Sequence, residues 1–262
     1  MPQNADVKFR ISGLTKSFGD LVVLRDLNLD ILTGHSTVLI GGAATGKSVL
    51  LKCLAGLLPL DGGTIELDGQ DLSRLGAHER IELTNKIGVL LQENGLFDSM
   101  PVWENISFKL LNVRRMDRKQ AYDIAVEKLG LVGLGAHVAD LFPSDLSGGM
   151  QKRVGLARAI ADDPEILLLD SPTAGLDPVM TNEINRLVQA AVDTLGATVL
   201  AITSDMTAAR DFYDRLAMLH DGHIIWQGPT ADIDATDNPY LDQLINGRAE
   251  GPIQMTVRQP AA

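Results

Sequence analysis

Hydrophobic and polar positions alternate in two stretches, Val7 to Ile11 and Leu21 to Leu32. A period of two predicts strands with one buried face, and the longer stretch reads as paired strands laid over another sheet. Thr64-Ile65-Glu66-Leu67 with Asp68-Gly69 predicts a further short strand and turn. Thr37 to Ile40 is an apolar strand leading into a glycine-rich string, and Lys86 to Leu91 reads as a buried strand. Ile166 to Leu169 and Thr198 to Ile202 are apolar without alternation. Such runs suit parallel strands covered on both faces. Helical spacing marks Lys47 to Leu58, a helix opening at Val102, and Arg118 to Leu129 with apolar Ala121, Ile124, Ala125, Val126 and Leu129. Gly149 to Ile160 and Thr181 to Leu195 follow, the latter as the crossover helix between the two apolar runs. Leu216 to Leu219 and Gly222 to Gln227 predict a hairpin around Asp221-Gly222. Beyond about residue 230 the periodicity fades into a short helix, Tyr240 to Ile245, and an extended tail of the last 15 residues. No internal repeat or low-complexity tract is visible.

Composition narrows the class. The 262 residues suit one large or two small domains, and 45% hydrophobic content fills a core. Only 4% is aromatic, so Leu, Ile, Val and Ala do most of the packing. A net charge of −11 argues against a nucleic-acid partner, because phosphate contacts need clustered Lys and Arg. The tightest basic group, Arg114, Arg115, Arg118 and Lys119, reads as a solvated helix face. The lone cysteine, Cys53, makes no intrachain disulfide and reads as a small core residue in a reducing compartment. The N-terminus lacks the basic start and apolar stretch of a signal peptide. Val49 to Leu60, the longest apolar region, contains Lys52 and is too short to span a bilayer. A membrane role therefore implies a peripheral subunit on the cytoplasmic side.

Three strings carry candidate chemistry. Residues 41–48, Gly-Gly-Ala-Ala-Thr-Gly-Lys-Ser, fit the P-loop pattern between a strand and a helix. Gly41, Gly42 and Gly46 let the backbone bend, and the peptide N–H groups through Ala43, Ala44 and Thr45 point at phosphate oxygens. Lys47 supplies a point charge to the outer phosphates, and the Ser48 hydroxyl is a ligand for Mg²⁺. Leu146-Ser147-Gly148-Gly149-Met150 opens a helix, and a helix N-terminus carries roughly half a positive charge, suited to a γ-phosphate. The apolar strand 166–169 ends in Asp170, followed by Ser-Pro-Thr-Ala-Gly-Leu-Asp-Pro, which points to metal coordination.

Together and in this order, the strings resemble the ATP-binding subunits of ABC transporters over residues 7–230. Phe18 stands where that family stacks an aromatic on adenine, Gln92 is similar to its Q-loop glutamine, and Ala174 to Asp177 resembles its D-loop. The resemblance implies an α/β P-loop NTPase fold of ABC type, a RecA-like core with an antiparallel β-subdomain and an α-helical subdomain. It implies a domain over 1–230 with the helical part at about 95–148, then a C-terminal extension over 231–262. It implies ATP with Mg²⁺ held by Ser48, Gln92 and Asp170. A second copy would dock head to tail, setting Ser147, Gly148 and Gly149 against the other chain's P-loop, and an integral membrane permease would be driven from the cytoplasmic face of the inner membrane.

The chain departs from that family at the hydrolysis positions. A glutamate that polarises the attacking water normally follows the strand-end aspartate, and here Ser171 stands there. Ser204 occupies the place of the switch histidine. A serine hydroxyl is a poor base, and losing a positioned base costs about 10²–10⁴ in rate. Glu93 and Asp205 are the neighbouring carboxylates that could substitute. Ala44 replaces a frequent glycine, which is harmless at negative φ and costly at positive φ, and Met150 replaces the usual glutamine.

Residues 92–106, residues 146–150 and the tail 246–253 look like the ATPase of Mla-type lipid transporters. That resemblance implies phospholipid transport between bacterial membranes with lipid-binding and small regulatory subunits as further partners.

Overall fold

The computed structural model describes residues 6–93 and 95–254. The chain opens with a long antiparallel pair, β1 (Val7–Phe18) and β2 (Leu21–Leu32). The stretch 21–32 is therefore one continuous strand, not the two expected from its pattern. The alternation misled because repeated register shifts interrupt β1 against β2, at residues such as Gly13 and Asp26 with φ of 62° and 45°. Then come β3 (Ser36–Ile40), α1 (Lys47–Leu54), β4 (Gly62–Leu67), β5 (Gln70–Asp71), α2 (Ala77–Thr84) and β6 (Ile87–Leu90). The segment 95–148 carries α3 (Val102–Ile106), α4 (Phe108–Asn112) and α5 (Arg118–Leu131). The rest comprises α6 (Gly148–Ala159), β7 (Ile166–Asp170), α7 (Pro178–Leu195), β8 (Thr198–Ile202), α8 (Met206–Phe212), β9 (Arg215–His220), β10 (His223–Pro229) and α9 (Pro239–Ile245).

Two sheets result. The smaller is antiparallel, in the order β2-β1-β4-β5. The larger runs β10-β9-β3-β8-β7-β6 and is parallel except for the β9–β10 hairpin. Its unalternated strands are buried on both faces, as their composition predicts. Val38, Leu167, Leu169, Val199 and Met218 face one core with the helices, including Val154, Leu156, Ile184 and Val188. Leu39, Leu168, Leu200, Ile202 and Leu219 face a second core, closed by Leu50, Leu51 and Leu54 of α1 and by Phe9, Leu27 and Ile31 of the small sheet. The apolar helix α1 is thus sandwiched between sheets, which fixes the loop leading into it.

The crossover helix α7 starts three residues before its expected position. Asp177 caps it, accepting from the N–H groups of Val179 and Met180 at 3.0 Å, and Pro178 sits at the first helical position. In the C-terminal part, Leu241 of α9 is buried in the larger core. Gln243 pins the following chain: its amide accepts from the Ile253 N–H at 2.7 Å and donates to the Ile253 carbonyl at 3.1 Å. Residues 255–262 of the expected tail lie outside the described residues. Among the described residues, no helix is long and apolar enough to cross a membrane.

Candidate functional site

Because β3, β8, β7 and β6 are parallel neighbours, the segments following them emerge at one edge of the sheet. In that order these are residues 41–48, Ser204, Asp170 with Ser171, and Gln92. Sequence positions more than 100 residues apart are thereby lined up at the strand spacing of about 4.8 Å. This is the carboxyl edge where open α/β sheets place their ligands.

The 41–48 loop is held tightly. Gly41 passes so close to β9 that an added Cβ would stand 2.2 Å from the Leu219 carbonyl oxygen, and Gly46 adopts φ 101° against Val23 and Leu24. Lys47 Nζ folds over the loop, donating to the carbonyls of Gly41 at 2.9 Å and Gly42 at 2.6 Å. Burial lowers the pKa of its ammonium, and the Asp170 carboxylate opposes that shift. Ala44 adopts φ 58°, so the costly alternative foreseen for an alanine holds. A cavity of about 300 Å³ opens on this loop, lined by Phe18, Val23 and residues 44–49. Phe18, at the end of β1, is 48% exposed, with Lys16 Nζ 5.5 Å from its ring centroid. The sequence did not single out Val23; as part of the alternation of β2, it carried no signal of its own.

Asp170 is 2% exposed. One carboxylate oxygen accepts from the Ser171 hydroxyl at 3.2 Å. The other, Oδ2, is buried with no hydrogen-bond partner among the described residues. An orphaned buried carboxylate oxygen beside a phosphate-type loop fits a hydrated cation, since the charge of Lys47 reaches it without supplying a hydrogen bond to Oδ2. Among the described residues, no three His, Cys, Asp or Glu side chains gather around it. That donor poverty suits Mg²⁺, which keeps waters and leans on phosphate oxygens.

The remaining residues are more open. Gln92 and Ser204 are exposed. Asp205, one of the two alternative carboxylates, is committed to capping α8: it accepts from the Ala208 N–H at 3.0 Å. Glu93 is exposed. Ser147 and Gly148 are exposed at the start of α6, where Ser147 Oγ accepts from the Met150 N–H at 3.3 Å. None of Ser147, Gly148 and Gly149 lines the cavity over the P-loop of the same chain. The sequence also gave no hint of Lys152, which reaches from α6 to the turn after Asp170, donating to the carbonyls of Ala174 at 2.8 Å and Ser171 at 3.3 Å. Nor did it flag Arg158, which lies over the rings of Phe97 and Phe108 and donates to the Gly95 carbonyl at 2.7 Å.

Comparison with known proteins agrees with this geometry. The family model described as ABC transporter matches residues 24–174. The protein named "Probable ribonucleotide transport ATP-binding protein mkl" from Mycobacterium leprae is 42% identical over 250 residues, covering 95% of this chain and 72% of the relative. The chloroplastic protein TRIGALACTOSYLDIACYLGLYCEROL 3 of Arabidopsis thaliana is 35% identical over 270 residues, covering 97% of this chain and 78% of the relative. Among solved structures, the dimeric bacterial ABC transporter cassette MJ0796 superposes with a TM-score of 0.80 at 29% identity, covering 85% of this chain and 98% of the cassette. A carboxyl-edge phosphate loop, a lone buried aspartate and these relatives lead to one conclusion: the chain belongs to the ABC transporter family, as an ATP-binding subunit.

Proposed function

We propose that the chain works as a pair, binds MgATP at the seam between two copies, and turns it over slowly. The observation that carries this reading is the separation of the two phosphate-binding ends: Lys47 lies in the P-loop, while the Ser147 end of α6 faces solvent away from the cavity of its own chain. An exposed helix N-terminus with free glycine N–H groups is half of an anion site. A second copy turned head to tail supplies the other half. The relative MJ0796 is described as dimeric, including a state bound to ADP and Pi, which supports a paired arrangement.

In this reading Phe18 stacks on the base, residues 41–48 hold the α- and β-phosphates, and Lys47 turns from its own carbonyls to the outer phosphates. Ser48, Asp170 and Gln92 would hold Mg²⁺. The bound cation supplies positive charge against the phosphate oxygens. Slow turnover follows from the two serines. Ser171 places a hydroxyl, already donated to Asp170, where a carboxylate would orient water. Ser204 offers no imidazole. Of the two alternative carboxylates, Asp205 is occupied at its cap, which leaves the exposed Glu93 as the one replacement.

The test is steady-state phosphate release from the purified complex. Wild-type turnover should be low, and Ser171→Glu should raise it by about 10² or more, the usual contribution of a positioned base. A wild-type rate already typical of active transporters, unchanged in the variant, contradicts the slow-turnover reading.

The cargo we infer is a phospholipid, moved between bacterial membranes with a permease and with lipid-binding and small regulatory subunits. Residues 92–106, 146–150 and 246–253 support it through their likeness to Mla-type lipid transporters. So does the relative whose name carries a diacylglycerol lipid. The mycobacterial relative's name carries ribonucleotide transport instead, so the complex should be assayed with both cargoes. Transfer of a labelled phospholipid between vesicles on ATP addition supports the lipid reading; ATP-dependent ribonucleotide uptake without lipid transfer contradicts it.

A further inference from the structure

The turn after Asp170 is strained and tied down at several points. Ser171 adopts φ 54°, in the left-handed region that an L-residue enters only at a cost. Such a conformation persists only where its surroundings over-determine it. Three ties do so. The Ser171 N–H donates to the Ile202 carbonyl at 3.0 Å, and the Ala174 N–H donates to the Ser171 carbonyl at 3.2 Å. Lys152 Nζ donates to the Ala174 carbonyl at 2.8 Å and the Ser171 carbonyl at 3.3 Å. Lys152 comes from another element, α6, whose first residues pack on the same loop: a Cβ added to Gly149 would stand 3.2 Å from Leu176 Cδ2. Among the described residues, Lys152 makes no salt bridge. Two of its three donors are spent on backbone carbonyls.

We propose that Lys152 is a positioning residue for the metal site: by clamping the strained 171–174 turn to α6, it aims the unpartnered Oδ2 of Asp170. This rests on reading Asp170 as the metal carboxylate. It also has a consequence for the paired state. Ser147 of one chain faces the nucleotide held by its partner, whereas Asp170 faces its own. Lys152 therefore ties together, within one chain, parts of two different nucleotide sites.

Charge and position act with opposite sign here. Removing an ammonium near Asp170 takes a like charge away from a bound cation, which by Coulomb's law strengthens cation binding. Releasing the turn disorders the ligand oxygen, which weakens it. The full chain should be titrated with a fluorescent ATP analogue, in Mg²⁺ and in EDTA, with Mn²⁺ binding followed in parallel by EPR. K152Q should lose about tenfold of the metal-dependent gain in affinity, the usual effect of losing a residue that orients a metal ligand. Its affinity in EDTA should stay within about twofold of wild type, as expected for a residue that touches no phosphate. K152R, which keeps charge and donors, should retain most of the gain, and K152Q should add nothing in a D170N chain. In an S171G chain, where φ > 0 carries no strain, K152Q should cost little. An unchanged or increased gain in K152Q overturns the proposal, as does a full loss in the S171G background. If D170N itself leaves the gain intact, the reading of Asp170 fails and the proposal falls with it. If D170N abolishes the gain and K152Q does not, only the proposal fails.

Discussion

Ala44 and Ser171 are both held at positive φ beside the nucleotide site, at 58° and 54°. The energetic balance at Ala44 is testable. Strain in this region costs an alanine about 1–2 kcal/mol. Replacing it by glycine gives back about 0.4–1 kcal/mol of unfolded-chain entropy. Ala44→Gly is therefore expected to stabilise the fold by about 1 kcal/mol or less, as the difference of these terms. A small rise in melting temperature checks this, and a fall contradicts it. The residue scale was also where the sequence was most readable. The P-loop stands out because eight consecutive residues wrap one ligand, and Asp170 because a run of buried residues ends in a charge. Lys152 was invisible for the opposite reason: its partners are two carbonyls about twenty residues away, and carbonyls carry no residue identity.

At the scale of elements, Asn105 shows how the loop after Gln92 is shaped. It is fully buried on α3, accepts from the Phe97 N–H at 2.7 Å, and donates to the carbonyls of Phe97, Met100 and Pro101 at 3.0–3.2 Å. Removing the amide strands the Phe97 N–H and the Met100 carbonyl, at about 1–3 kcal/mol for the pair, while the carbonyls of Phe97 and Pro101 keep the N–H groups of Met100 and Asn105. Asn105→Ala should lower stability by about 1–3 kcal/mol, by the same reasoning, and speed hydrogen exchange at the Phe97 amide. Unchanged exchange there would show that the loop is held by other contacts. Legibility followed burial. Strands β7 and β8 were read with almost their observed limits because both faces are apolar. The alternation marks only the first part of β1 and divides β2 in two, because bulges break the period. The start of α7 was available in Asp177-Pro178, a cap followed by the proline that fits the first helical position.

For the whole molecule, acidity and assembly matter. Lys16 and the Ser17 N–H hold the Asp61 carboxyl below the usual range, and Arg210 does the same for Asp234. A carboxyl whose folded pKa is depressed contributes stability above its unfolded value, near 3.8, that is lost as the pH falls through the folded value. Melting temperature should therefore hold steady down to about pH 5 and fall below about pH 4, and Asp61→Asn should lessen that fall. An acid limb that Asp61→Asn leaves unaltered would remove this residue from the explanation.

The paired arrangement is the central claim, and slow turnover makes it directly measurable, because an ATP-bound pair should accumulate. Light scattering of the purified chain with and without MgATP is the most direct test. The expected result is a monomer that becomes a dimer on MgATP addition, with the shift lost in both Lys47→Ala and Ser147→Arg. A chain that stays monomeric with saturating MgATP, or a Ser147→Arg variant that pairs as readily as wild type, would contradict it.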